Sequence, residues 1–128
     1  MASVLVVEDD PAVRRLVAAV LRAAEHQVLQ AASIGEAVAV LEDPGLAVDL
    51  VISDLGLPDG SGGRVMLLCR QFRPEVTVLF VTGSTEEYPA VLHEVDPWRI
   101  LSKPFRAARL IEAVQRALGQ STGAPRDV

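Results

Sequence analysis

Two kinds of hydrophobic run alternate along this chain. Short continuous apolar stretches end on Gly, Pro or acidic residues, as buried strands do. Longer stretches repeat apolar residues every three or four positions, as helices do. Val4-Leu5-Val6-Val7 predicts a first strand over Ser3 to Val7, closed by Glu8-Asp9-Asp10. Pro11 suits the first position of a helix, with Asp10 as its cap. Val13, Leu16, Val17, Val20, Leu21 and Ala24 form one apolar face of that helix, and Arg14, Arg15 and Arg22 its solvated face. Gln27 to Ala31 reads as a second strand. Ser33 caps a second helix carrying Ile34, Ala37, Val38 and Leu41, with Glu36 placed as in a capping box. Asp43-Pro44-Gly45 ends it.

Leu50-Val51-Ile52-Ser53 is a third strand that runs into Asp54. A loop rich in Gly, Pro and Asp follows to Gly62. The third helix spans Gly63 to Phe72, with Val65, Leu68, Cys69 and Phe72 on its inner face. Thr77 to Thr82 is a β-branched fourth strand broken by Gly83. Glu86 to Val95 is a weaker fourth helix, with Pro89 tolerable only in its first turn. Arg99 to Ser102 is a short fifth strand before Lys103-Pro104. Ala107, Leu110, Ile111, Val114 and Leu118 mark a last helix that Gly119 stops. The expected organisation is one domain over residues 1–119 and a frayed tail over 120–128. Five strands alternating with five helices predict an α/β fold, doubly wound, with a five-stranded parallel sheet and helices on both faces.

Composition narrows the function. The 128 residues suit one domain with a real core, 50% of them hydrophobic. The net charge of −5 disfavours binding to nucleic-acid phosphates. Cys69 is the only cysteine, which excludes an internal disulfide or a cysteine metal cluster and places the thiol in the core. His26 and His93 stand isolated and solvated. No apolar run approaches the roughly 18 residues of a membrane span. No basic stretch followed by a cleavable apolar segment opens the chain, so a cytoplasmic protein is expected.

The chemistry collects at one place. In a parallel sheet the carboxyl ends of all strands share an edge, where ligands bind in open α/β folds. That edge brings Glu8, Asp9 and Asp10 from strand one, Asp54 from strand three, Thr82 from strand four and Lys103 from strand five. Converging carboxylates repel one another, and a hard divalent cation offsets this; Mg²⁺ is the natural choice, with Mn²⁺ as a substitute. Carboxylate, cation and lysine around an open corner suit phosphoryl transfer with aspartate as nucleophile.

Together Val4-Leu5-Val6-Val7-Glu8-Asp9-Asp10, Asp54-Leu55-Gly56-Leu57-Pro58-Asp59-Gly60-Ser61-Gly62, Val81-Thr82-Gly83 and Lys103-Pro104-Phe105 carry a resemblance. The chain resembles a response-regulator receiver domain of two-component signalling, like the chemotaxis regulators, from Ser3 to about Leu118. The resemblance implies a flavodoxin-like strand order of 2-1-3-4-5. It implies that Asp54 accepts a phosphoryl group from a phosphohistidine on a sensor histidine kinase or histidine phosphotransfer protein. Asp10 would then ligate Mg²⁺ directly and Asp9 through water, joined by Asp54 and the Gly56 carbonyl, with Glu8 a solvated neighbour. Thr82 would hydrogen-bond the phosphoryl oxygen and move on activation. Lys103, in a cis bond to Pro104, would pair with phosphate. The domain would catalyse its own phosphorylation and hydrolyse the product slowly, acting mainly as a switch on a downstream protein partner or in a phosphorelay. Ile100 stands where the family usually has an aromatic switch residue, so the readout there departs from the pattern. Gly83 leaves the pocket open to a donor histidine.

Three other readings compete. An aspartyl-phosphate hydrolase needs a second acid two residues after the nucleophile, where Gly56 stands. A degenerate receiver would act as a phosphorylation-independent binding module. A flavodoxin-like cofactor domain needs a phosphate-cradling loop after strand one, where acids stand instead. The chain is either a single-domain regulator or the receiver segment of a longer protein.

Overall fold

The computed structural model describes residues 2–83, 93 and 95–121. Its strands are β1 Ser3–Val7, β2 Gln27–Ala31, β3 Leu50–Asp54, β4 Gly56–Leu57, β5 Gly60–Ser61, β6 Thr77–Thr82 and β7 Ile100–Ser102. Its helices are α1 Pro11–Ala23, α2 Ile34–Leu41, α3 Gly62–Phe72 and a last helix Ala107–Ser121. The five long strands form one parallel sheet in the order β2-β1-β3-β6-β7. This is the order 2-1-3-4-5 counted over the main strands, as expected.

Side chains alternate across a strand, so each buried strand feeds two cores. Leu5, Val7, Val51, Val78 and Phe80 face α2 and α3, where they meet Ile34, Ala37, Leu41, Val65, Met66 and Cys69. Val4, Val6, Leu50, Ile52, Leu79, Val81 and Leu101 face α1 and the last helix, where they meet Val17, Leu21, Leu110, Val114 and Ala117. Cys69 is buried as expected, and burial pushes its thiol up to about 12, which keeps it inert.

Local signals explain the helix starts. The Asp10 carboxylate accepts from the backbone of Ala12 at 2.9 Å and Val13 at 3.4 Å, with Pro11 opening α1. Ser33 Oγ accepts from the Glu36 amide at 3.1 Å. Glu36 reaches back to the Ala32 amide at 2.8 Å, one residue short of the usual box partner. Glu25 ends the α1 turn with φ 69°, a left-handed residue that reverses the chain.

Some expectations change. The loop after Asp54 contains a small antiparallel ribbon, Gly56–Leu57 against Gly60–Ser61. The fifth strand begins at Ile100, because Pro97–Arg99 forms a 3₁₀ turn. Gly119 does not stop the last helix, which runs through Ser121; a glycine costs about 1 kcal/mol in a helix but breaks no hydrogen bond. His26 is half-buried, and its Nδ1 accepts from the Ala2 amide at 3.2 Å, so it anchors the chain start rather than standing in solvent. His93 is exposed. The expected fourth helix, apart from His93 and Val95, and the tail from residue 122 lie outside the described residues.

One glycine is dictated by close approach. A Cβ on Gly62 would drive into the carbonyl oxygen of Asp54 and come within 3.0 Å of Leu55 Cα. Gly62 therefore lets α3 begin directly behind the end of β3. Gly62→Ala should lower stability by about 1–3 kcal/mol, the usual cost of overpacking a site that cannot yield. Gly83→Ala should be near neutral, since a Cβ there meets nothing within 4 Å among the described residues. Urea unfolding midpoints of the two variants test this contrast.

Candidate functional site

Strand register delivers the polar groups to one corner. Val7 pairs with Ser53, so Glu8 follows beside Asp54. Asp54 pairs with Val81, and Thr82 with Ser102, so Lys103 comes next on the far side. Face parity does the rest. Val4, Val6 and Glu8 form one alternate row; so do Leu50, Ile52 and Asp54, and likewise Leu101 and Lys103. All three rows lie on the α1 side of the sheet, and each ends in a charge. Thr82 has the opposite parity and ends the row of Val78 and Phe80.

The Lys103 ammonium lies 3.0 Å from Asp54 Oδ2 and 2.9 Å from Glu8 Oε1. The latter contact is an ion pair without hydrogen-bond geometry: Glu8 Oε1 is buried and has no hydrogen-bond partner. Glu8 Oε2 accepts from the Asp10 amide at 3.2 Å, and Asp54 Oδ1 from the Gly56 amide at 3.1 Å. Glu8 is 1% exposed and Asp54 8%. Burial pushes the Glu8 carboxyl up to about 7; Lys103 pulls it down and the neighbouring Asp54 pushes it further up. Burial alone would lower the Lys103 ammonium, but its contacts with Glu8 and Asp54 outweigh that and hold it above its ordinary value.

Glu8 is therefore not the solvated neighbour expected of it. Oxygens of Glu8, Asp9 and Asp54 lie within 4.8 Å of one another, an oxygen-only donor set that suits a hard cation. Asp10 stands outside that group, its carboxylate committed to capping α1. The physical reason is local: Asp10 begins the helix, so its side chain folds over the first turn rather than over the sheet edge. Thr82 is 2% exposed, and its carbonyl accepts from the Lys103 amide at 2.7 Å. The Lys103–Pro104 peptide is cis. Ile100 is half-buried, paired with Phe80 and packed on the α2–α3 side. Trp98 sits outside this corner, with the Arg116 guanidinium 4.4 Å from its ring centroid.

A sequence model described as the response regulator receiver domain matches residues 4–115. The chain belongs to that family. It is 36% identical to the response regulator protein FleR of Pseudomonas aeruginosa over 98% of this chain and 27% of that protein. It is 34% identical to the sensor kinase CckA of Brucella abortus over 91% of this chain and 12% of that protein. Among solved structures, a CheY-like receiver domain protein of Methanospirillum hungatei JF-1 superposes with a TM-score of 0.82 at 25% identity, covering 96% of this chain and 98% of that one. The receiver fold thus accounts for nearly all of this chain, while the chain spans only a minor part of these two curated relatives.

Two side chains beyond the expected set shape the receiver's corner. The Asp59 carboxylate accepts from the amides of Ile34 at 2.9 Å and Gly35 at 3.0 Å, which ties the loop after Asp54 to the start of α2. Those two backbone hydrogen bonds hold its carboxyl below the ordinary range. Arg14, expected on a solvated face, donates from Nη1 to the Glu8 carbonyl at 2.8 Å. The alternation of the first strand carried a signal for Glu8, since it continues the Val4-Val6 row. Nothing in the local sequence marks Asp59 or Arg14.

The raised Glu8 carboxyl has a stability consequence. Without a cation, the folded protein keeps this proton between pH 4.5 and about 7, where the unfolded chain has lost it. The contribution is therefore fully present below pH 4.5 and disappears as pH rises through about 7. Urea unfolding in chelator should show wild-type stability falling relative to Glu8→Gln across this window, by an amount on the order of 3 kcal/mol. A difference that stays flat with pH would show that Glu8 is ordinary in both states.

Proposed function

We propose that this chain is a phospho-accepting receiver that takes a phosphoryl group from a phosphohistidine donor onto Asp54. The observation that carries this reading is the Lys103 ammonium resting on Asp54 Oδ2 at 3.0 Å, in a corner that also gathers Glu8 and Asp9. Asp54 is the nucleophile: an Oδ atom forms the new O–P bond as the N–P bond of the donor breaks, and the donor imidazole recovers its electron pair. Lys103 would answer negative charge on the phosphoryl oxygens, and the Thr82 hydroxyl would donate to one of them.

The donor set fits Mg²⁺, or Mn²⁺ in its place. With all three carboxylates ionised, Glu8, Asp9 and Asp54 carry three negative charges and Lys103 one positive, leaving an excess of two. The buried Glu8 Oε1 meets the Lys103 ammonium as an ion pair without hydrogen-bond geometry. Glu8, Asp9 and Asp54 would hold the ion with the Gly56 carbonyl, and the ion would supply positive charge to the phosphoryl oxygens. This assignment uses Glu8 and Asp9 as the acidic pair and leaves Asp10 as a helix cap.

The donor is a sensor histidine kinase or a histidine phosphotransfer protein. Val13, Leu16, Pro104 and Phe105 line an apolar groove of about 350 Å³ that ends on Lys103 itself. Leu16 is 59% exposed there. A helix of the donor, seated in that groove, would bring its histidine to the Asp54 corner past Gly83. Phosphorylation then biases a two-state equilibrium read by a downstream protein. Thr82 and Ile100 lie on the same side of the sheet, so a shift of Thr82 would be felt by a branched aliphatic side chain rather than a ring.

Intact-mass analysis after incubation with acetyl phosphate tests the reading. The expected outcome is a gain of about 80 Da that requires Mg²⁺ and is lost in Asp54→Ala. A folded protein that gains no mass from acetyl phosphate or from a phosphohistidine donor would instead be a phosphorylation-independent binding module. Calorimetric titration with Mg²⁺ separates the acids: Glu8→Gln and Asp9→Asn should each weaken binding by about tenfold or more, and Asp10→Asn by no more than about twofold.

A further inference from the structure

Asp9 contributes to the carboxylate cluster under an unusual condition. Glu8 is held at both oxygens, by Lys103 and the Asp10 amide, and Asp54 by Lys103 and the Gly56 amide. The exposed Asp9 carboxylate has no hydrogen bond or ion pair among the described residues. Its position is therefore set by its backbone and its own rotamer, with no side-chain partner to hold it.

That backbone is clamped from α1. Arg14 Nη1 donates to the Glu8 carbonyl at 2.8 Å, and Arg14 Nε donates to Gln30 Oε1 at 3.3 Å. The Glu8 carbonyl belongs to the peptide that joins Glu8 to Asp9. The Glu8 amide is separately bonded to the Ala31 carbonyl at 2.9 Å, which leaves the far side of Glu8 as the free joint. A guanidinium is a planar fork of fixed geometry, so two of its nitrogens engaged on two strand ends define a plane. The fork spans the ends of β1 and β2 and fixes the Glu8–Asp9 peptide between them.

We propose that Arg14 is a positioning residue for the cation site. It touches none of the carboxylates; it orients the Glu8–Asp9 peptide so that the Asp9 carboxylate is presented to Asp54. This rests on the reading that the corner binds a divalent cation during phosphoryl transfer. Without the clamp the peptide can rotate, and Asp9 samples directions in open solvent. The consequence falls on cation affinity rather than on the attack by Asp54.

The test compares wild type, Arg14→Met, Arg14→Lys and Gln30→Ala, each with and without Asp9→Asn. The readouts are Mg²⁺ affinity by calorimetry, the phosphorylation rate with acetyl phosphate as a function of Mg²⁺, and the thermal midpoint. Arg14→Met keeps the aliphatic stem and should weaken Mg²⁺ about tenfold, in the range seen when outer partners of metal ligands are removed. Its phosphorylation rate should return to near wild type at saturating Mg²⁺. Arg14→Lys should recover part of the affinity through one donor, and Gln30→Ala should give a smaller loss in the same direction. In the Asp9→Asn background, Arg14→Met should cause no further loss, because the group it positions is gone.

Wild-type Mg²⁺ affinity in a folded Arg14→Met overturns the proposal. So does an equal loss in the Asp9→Asn background, or a loss that follows the thermal midpoint and is not recovered by Arg14→Lys. A wild-type protein that binds no Mg²⁺ and takes no phosphoryl group overturns the phosphoacceptor reading, and this one with it.

Discussion

One half-buried cation between two buried carboxylates governs this corner of the molecule. Lys103 touches Glu8 and Asp54 at 2.9 and 3.0 Å, and neither acid has much access to water. Placing two carboxylates side by side in a poorly solvated site is costly, and a single ammonium neutralises only half of their charge. Burial is the main cause that raises the Glu8 carboxyl to about 7, and the neighbouring Asp54 adds to the rise. The charge imbalance makes the corner receptive to further positive charge. The fold tolerates here an electrostatic deficit that a cation can relieve.

That arrangement depends on how three strand ends are held. The parallel register sets Glu8, Asp54 and Lys103 side by side, and the shared parity of their rows turns them to one face. Loops then lock the ends. Gly62 lets α3 start against the Asp54 carbonyl, Asp59 ties the following loop to α2, and Arg14 braces the end of β1 against that of β2. Each meets backbone, and Arg14 also meets the Gln30 side chain. This corner is thus carried by the sheet and positioned by contacts that lie outside it.

The sequence was most readable where the signal is periodic. Apolar runs marked the five main strands to within a residue, and their alternation with helices implied a doubly wound sheet, because buried parallel strands need helices on both faces. Signals that depend on competition were harder. Gly119 reads as a stop, yet the last helix continues to Ser121 because one glycine weakens a helix without ending it. Arg14 reads as solvated from its helical position, but a guanidinium is long enough to reach back over the strand end. Asp10 reads as one of an acidic pair, although its place directly before Pro11 also marks it as a cap, and the cap interaction is the one it makes.

What the chain by itself determined is the inventory of the site and its edge: which acids, which lysine, and that all of them close parallel strands. These follow from local order along the chain, where an apolar run must end and a charge must stand at its end. What only the tertiary structure decided is which of the acids face one another. Glu8 and Asp54 meet because β1 and β3 are neighbours in a register that places Val7 opposite Ser53, and Asp59 and Arg14 act across 25 and 6 residues of separation. Register and reach are properties of packed neighbours, and no local pattern contains them.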